Sequence, residues 1–210
     1  MNKPEAEGNL FIIAAPSGAG KTSLVNGLLE RDSRLVLSIS HTTRPARPGE
    51  IDGQHYHFVK RADYDKMVKA GEFMEYARVY DHFYGSNRKS VANQLKSGQD
   101  VILEIDWQGA RQVRKAFPDC CLIFILPPSL ETLQERLTGR GQDSEKVIQR
   151  RMQVAQAEIS HWAEFDYLVV NDCFDKALEE LLAMINAHRE RQPHRVDRDH
   201  QILAQRLGKR

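Results

Sequence analysis

The segment Ala15-Pro16-Ser17-Gly18-Ala19-Gly20-Lys21-Thr22 carries the chemistry most plainly. Small residues let successive backbone N–H groups close round a phosphate, and a lysine at this spacing reaches the β and γ phosphates of a nucleotide. The Thr22 hydroxyl is placed to ligate Mg²⁺. The segment departs from the G-x-x-x-x-G-K-[ST] pattern only at its first position, where Ala15 replaces glycine. Apolar Leu10 to Ala15 precedes it, and Leu24, Val25, Leu28 and Leu29 follow at helical spacing. The order strand, glycine loop, helix is the one the chemistry requires, because the helix turns its positive N-terminus to the anion. A phosphate loop implies a nucleotide and no more.

Three further groups of residues have types suited to the same substrate. Arg44 and Arg47 lie in a proline-punctuated loop, and guanidinium forks suit phosphate oxygens. Val101 to Asp106 alternates with period two, which predicts Glu104 and Asp106 on one face at a strand's C-terminal end. Ligands bind at such ends in open α/β sheets, and paired carboxylates there suit Mg²⁺ and its waters. Arg136 and Arg140 are four residues apart at a helix end and can share a face, with Arg151 on the next helix. On their own, Tyr56 and Tyr84 fit a packed core as well as a binding site.

The elements that must position these groups alternate. Val101 to Asp106, Cys121 to Leu126 and Tyr167 to Val170 read as strands, and helices follow at Gln108 to Ala116, about Ser129, and Phe174 onward. Strand–helix alternation predicts a parallel sheet flanked by helices. The stretch from His41 to about Ser86 breaks the rhythm with short pieces, His55 to Val59 and Phe73 to Val79 among them, and reads as a small mixed insert. Thr138 to Ser144 reads as an exposed mobile loop. The residues after His188 are highly charged and predict a solvated or loosely docked tail.

Composition excludes several classes. Thirty Lys and Arg against 29 Asp and Glu disfavour a bulk electrostatic binder of nucleic acid. The apolar runs are too short to cross a bilayer, and Glu5 and Glu7 before a short apolar stretch do not read as a signal peptide. The three cysteines, Cys120, Cys121 and Cys173, suit reduced thiols. A cytoplasmic protein without a membrane or nucleic-acid partner is expected, and a homo-oligomer is left open.

The loop Ser38-Ile39-Ser40-His41-Thr42-Thr43-Arg44-Pro45-Ala46-Arg47-Pro48-Gly49-Glu50 resembles the S-x-[ST]-T-R-x-x-R-x-G-E signature of guanylate kinases, the bacterial members above all. So, in order, do Gly53 to Val59, Glu72 to Glu75, Phe83 to Ser86, Glu104 to Gly109, Arg136 to Gly141 and Val169 to Asp172. The resemblance spans about Asn9 to His188 and implies an α/β nucleoside-monophosphate-kinase architecture. In it, a core of residues 1–40 and 87–188 carries ATP, and a lid near 138–150 closes over it. An insert at 41–86 carries GMP, and a tail follows at 189–210.

By position it implies that Arg44, Arg47, Tyr56 and Tyr84 hold the GMP phosphate, and that Ser40, Glu75 and Ser86 read or flank guanine with Asp106 nearby. Lys21, Arg136, Arg140 and Arg151 would contact the transferring phosphates, and Asn171 would lie beside the adenine. The family carries Asp where Glu104 stands, so metal contact there is expected through water. Guanine presents N1–H and the N2 amino group side by side, which two carboxylate oxygens can accept. The implied reaction is ATP + GMP ⇌ ADP + GDP with Mg²⁺. A non-catalytic phosphopeptide-binding relative is opposed by the intact Gly20-Lys21-Thr22. A kinase of phosphorylated sugars would not need Ser40 and Glu75, and a GTPase switch would need an Asn-Lys-x-Asp motif that is lacking.

Overall fold

In the computed structural model, which describes residues 7–139 and 145–191, five strands form one parallel sheet. They are β1 (Leu10–Ala14), β2 (Leu35–Leu37), β7 (Asp100–Glu104), β8 (Cys121–Leu126) and β9 (Tyr167–Val170), in the order β2-β7-β1-β8-β9. β1 is buried along its whole length, as a central parallel strand covered on both faces should be. Its period-two alternation divides the core. Phe11 and Ile13 pack with Leu24, Leu28, Leu178 and Leu181, which lie on α1 (Lys21–Arg31) and α7 (Phe174–Arg191). Leu10 and Ile12 pack with Val91, Leu95 and Val113, on α3 (Arg88–Lys96) and α4 (Trp107–Ala116).

The insert is a second sheet of mixed sense. It contains β3 (His41–Thr42), β4 (His57–Phe58), β5 (Phe73–Val79) and β6 (His82–Asn87), ordered β4-β3-β6-β5, with α2 (Arg61–Lys69) between β4 and β5. The short piece His55 to Val59 holds a strand of only two residues because the chain turns just before it. Gly53 takes φ 76° and its N–H donates to the Tyr56 carbonyl at 2.8 Å. β5 is an edge strand, and α4 covers that edge. The Gln112 side chain accepts from Tyr76 N–H at 3.2 Å and donates to Tyr76 C=O at 2.8 Å, taking the place of a neighbouring strand.

Two expectations need correction. The strand expected to reach Asp106 stops at Glu104, because the Asp106 side chain accepts from Gly109 N–H at 2.9 Å and so caps α4. The charged tail does not begin at residue 189. Arg189 lies within α7 and donates to Asp100 at 2.6 Å and to Asp32 at 2.5 Å. Asp100 also accepts from the Asn9 backbone and side chain at 2.7 Å. This network ties the last turns of α7 to the start of β1 and β7. Residues 192–210 lie outside the described part, as do 140–144 of the expected lid. The remaining lid residues are the end of α5 (Leu130–Thr138) and the start of α6 (Glu145–Ile159). Among the described residues no helix is long and apolar enough to cross a membrane.

Candidate active site

The phosphate loop bends between β1 and α1 on glycines with positive φ, 95° at Gly18 and 93° at Gly20. A side chain is strained at either position. At Gly20 it is also obstructed, since a Cβ would stand 2.4 Å from Asn171 Nδ2. That amide donates to the Ala19 carbonyl at 2.8 Å, so Asn171 braces the loop from behind. The backbone carbonyl of Asn171 accepts from Arg136 at 3.1 Å. Ala15, with alanine in place of glycine, is accommodated and lines the same cavity as Pro16, Ser17, Gly18 and Gly20. Ala19 is fully buried beneath the loop.

That cavity, of about 600 Å³, runs from the phosphate loop to the insert. Lys21 crosses its floor, donating to the Ile105 carbonyl at 3.2 Å. Thr22 donates to Glu104 at 2.5 Å. The hydroxyl and carboxylate are hard oxygen donors on one side of the loop, which suits Mg²⁺, an ion that keeps several waters and takes its other ligands from phosphates. Among the described residues there is no cluster of three or more acidic, His or Cys side chains able to hold a metal alone. The fit is therefore to a metal shared with a nucleotide. Asp106 also lines the cavity, though its two oxygens are engaged by Gly109 N–H and by Gln108 Nε2 at 2.8 Å.

Across the cavity the insert supplies two contrasting groups. Arg44 is held by Glu50 through two bonds of 2.9 and 2.7 Å, and the Arg47 backbone N–H donates to the same carboxylate at 2.7 Å. The Arg44 guanidinium and the Arg47 N–H hold the Glu50 carboxyl down at about 2. Arg44 lies 5.4 Å from the Tyr56 ring centroid, and Tyr56 packs edge-on to Tyr84 at 5.9 Å. Arg44, Arg47, Tyr56 and Tyr84 line one end of the cavity. The tyrosines thus face both the core of the insert and its ligand space.

Beyond them lies a buried carboxylate. Glu75 is 2% exposed, accepts from Ser86 Oγ at 2.7 Å, and Ser86 in turn contacts Ser40 Oγ at 3.3 Å. Burial, aided by the charge of Asp106, pushes Glu75 up to about 7, against the opposing Ser86 bond. A carboxyl held this way has acceptor capacity to spare and strongly favours arriving N–H donors.

The sequence-predicted residues Lys21, Thr22, Ser40, Arg44, Arg47, Tyr56, Glu75, Tyr84, Glu104, Asp106 and Arg151 are all brought to this cavity. Ser86 stands behind Glu75, while Arg136 and Asn171 stand behind the phosphate loop. Arg140 lies outside the described residues. Sequence reasoning assigned no role to Glu50, which holds Arg44. It also passed over Gly109, where a Cβ would stand 2.5 Å from Glu75 Oε2. The signals for both were their places in the segments that resemble the family, Glu50 closing the arginine loop and Gly109 closing Glu104 to Gly109, and for Gly109 also a glycine inside a helical run.

A phosphate loop on a parallel sheet, facing an insert that brings Arg44, Arg47 and Glu75 to the same cavity, defines a P-loop kinase of the nucleoside-monophosphate type. The guanylate kinase family model matches residues 7–188. A guanylate kinase of Hahella chejuensis is 59% identical over 186 residues, 89% of each chain. One of Alkalilimnicola ehrlichii is 55% identical over 200 residues, 95% of this chain and 97% of the other. A crystal structure of guanylate kinase from Anaplasma phagocytophilum superposes with a TM-score of 0.78 at 31% identity, covering 98% of both chains. The chain belongs to the guanylate kinase family.

Proposed function

We infer that this protein transfers the γ-phosphoryl group of ATP to GMP, giving ADP and GDP. The observation that carries the reading is a buried, serine-held carboxylate, Glu75, in one cavity with an intact phosphate loop. ATP takes the loop side, in the core of residues 1–40 and 87–188, and GMP takes the insert at 41–86. Arg44, Arg47, Tyr56 and Tyr84 hold the GMP phosphate, and Glu75 accepts guanine N1–H and N2–H with Ser40, Ser86 and Asp106 around it. Adenine presents an acceptor at N1, which the same carboxylate would face unpaired.

No covalent intermediate is required. A GMP phosphate oxygen attacks the γ-phosphorus in line, and the protein supplies position and positive charge. Lys21 and Arg151 line the same cavity, which supports a place for both beside the transferring phosphates. Arg136, Arg140 and Asn171 complete the roles assigned by family position. Thr22 and, through water, Glu104 would hold Mg²⁺ together with ATP, and the ion would supply neutralisation of the phosphate charge. A coupled ADP-release assay across AMP, GMP, CMP and UMP tests the reading. ADP formed with GMP far faster than with the others supports it, and equal rates with all four, or release without any monophosphate, overturn it.

A further inference from the structure

At the end of the cavity between the phosphate loop and the tip of the insert stand Tyr80 and Glu158, to which none of the roles above is assigned. β5 and β6 are joined by the two-residue turn Tyr80-Asp81, where Tyr80 takes φ 54°. Two-residue hairpin turns take a positive φ, so the turn itself accounts for this conformation. The turn carries Tyr80 into the cavity, and Asp81 meets Arg150 of α6 at 3.7 Å. α6 contributes a second intruder. Arg151 and Glu158 are seven residues apart, two helical turns, so both project from one stripe, and both line the cavity.

Glu158 is an unusual neighbour for an anion site. Its Oε2 is shut off from solvent without a hydrogen-bond partner among the described residues. Burial pushes Glu158 up to about 7, opposed by the charge of Lys21 and by the Ser17 backbone N–H, and reinforced by the charge of Asp106. Burial also raises Tyr80, and the Glu158 charge adds to it. Glu158 therefore shares one cavity with Ser17 and Lys21 of the phosphate loop and with Asp106 and Tyr80 on the monophosphate side. On the reading given above, the group that must lie between those two sides is the phosphoryl in transit.

We propose that Glu158, whose buried carboxylate lines the same cavity as Ser17 and Lys21, opposes the γ-phosphate of ATP at the transfer point while leaving ADP unopposed. A carboxylate and a phosphate in one water-poor space repel strongly. ADP carries no phosphate at the transfer point, so the repulsion falls on ATP alone. Glu158 is in this account a positioning residue. It narrows the affinity gap between ATP and the product ADP.

The proposal rests on the kinase reading and is tested separately from it by binding. Dissociation constants for ADP and for a non-hydrolysable ATP analogue, both with Mg²⁺, are measured by calorimetry at pH 8 on the wild-type chain and on Glu158→Gln. The variant keeps the side chain's shape and removes its charge. The ATP analogue should bind at least about fivefold more tightly to the variant, with ADP changed less than about twofold. Equal shifts for both nucleotides, no shift, or weaker binding of the analogue overturn the proposal. A purely structural Glu158 would lower the melting temperature without moving the ratio. Should Glu158→Gln fail to fold, Glu158→Ala is expected to move the ratio in the same direction, and Glu158→Asp, which keeps the charge, to leave it near wild type. If the wild-type chain binds neither nucleotide, the kinase reading itself fails.

Discussion

The two halves of the cavity are built from opposite materials. The core half uses a fully buried apolar strand, β1, and a loop whose ligand groups are backbone N–H donors. The insert half buries Ser40, Thr42, Glu75 and Ser86 at 8% exposure or less. A triphosphate is the same in every nucleotide, so backbone donors suffice to hold it. A base differs from other bases only in the placing of donors and acceptors, so reading it takes buried side chains whose burial costs stability. The core therefore spends little stability on its ligand, and the insert spends more.

Several outcomes would break or sharpen that contrast. The largest effect is expected at Lys21. Lys21→Met should leave the fold intact and lower kcat by roughly 10²–10³, the loss of about 3–4 kcal/mol seen for one preorganised donor. Near-normal turnover would remove the loop from the chemistry. Next is the end of α7. Truncation after His188 removes Arg189 and leaves Asp32 and Asp100, both at most 10% exposed, without that partner. A loss of about 2–3 kcal/mol is expected in urea denaturation, smaller than for a wholly unpaired buried charge because Arg34 and Asn9 remain. Truncation after Arg191 should cost almost nothing.

Gly109→Ala sharpens the contrast from the insert side. The added methyl would meet Glu75 Oε2 at 2.5 Å, while the substitution otherwise favours the helix. Steady-state kinetics should give a loss of roughly tenfold or more in kcat/KM for GMP, with KM for ATP within about twofold.

The smallest effects concern pH. Glu75 is raised from 4.5 to about 7 in the folded state, so the folded chain binds the extra proton, and this group's contribution falls as pH rises from about 4.5 through 7. Glu75→Gln should therefore be more stable than wild type at pH 8, by about 1–2 kcal/mol, and no more stable at pH 4.5. Glu50 has the opposite sign. Lowered to about 2, it stabilises the fold above its unfolded value of 4.5, and that stability is lost as pH falls toward 2. Thermal melts of Glu50→Gln and wild type should converge at the acid end.

The core was almost fully legible in the sequence because its signals are local. Apolar runs, breaker glycines and helical spacing each lie within a few residues of the group they position, as from Leu10 to Leu29. The insert was legible mainly through its resemblance to a family, since pieces such as His57–Phe58 are too short to carry a period of their own. Contacts across the chain were not legible. Nothing near Arg189 announces that it pairs with Asp32, 157 residues away, and nothing on α6 sets Glu158 apart from its polar neighbours. Asp106 was misjudged as a strand residue because its alternation with Glu104 hides a helix cap.

The most direct test of the account is the ratio of kcat/KM for GMP to that for AMP in Glu75→Gln. The amide keeps the shape and replaces one acceptor with a donor, which would oppose a guanine N–H and could face the adenine N1 acceptor. Kcat/KM for GMP should fall by roughly 10²–10⁴, the GMP-to-AMP ratio should shrink with it, and KM for ATP should stay within about twofold. An unchanged ratio would contradict the assignment of Glu75 as the reader of guanine and move that role to Ser40 and Asp106.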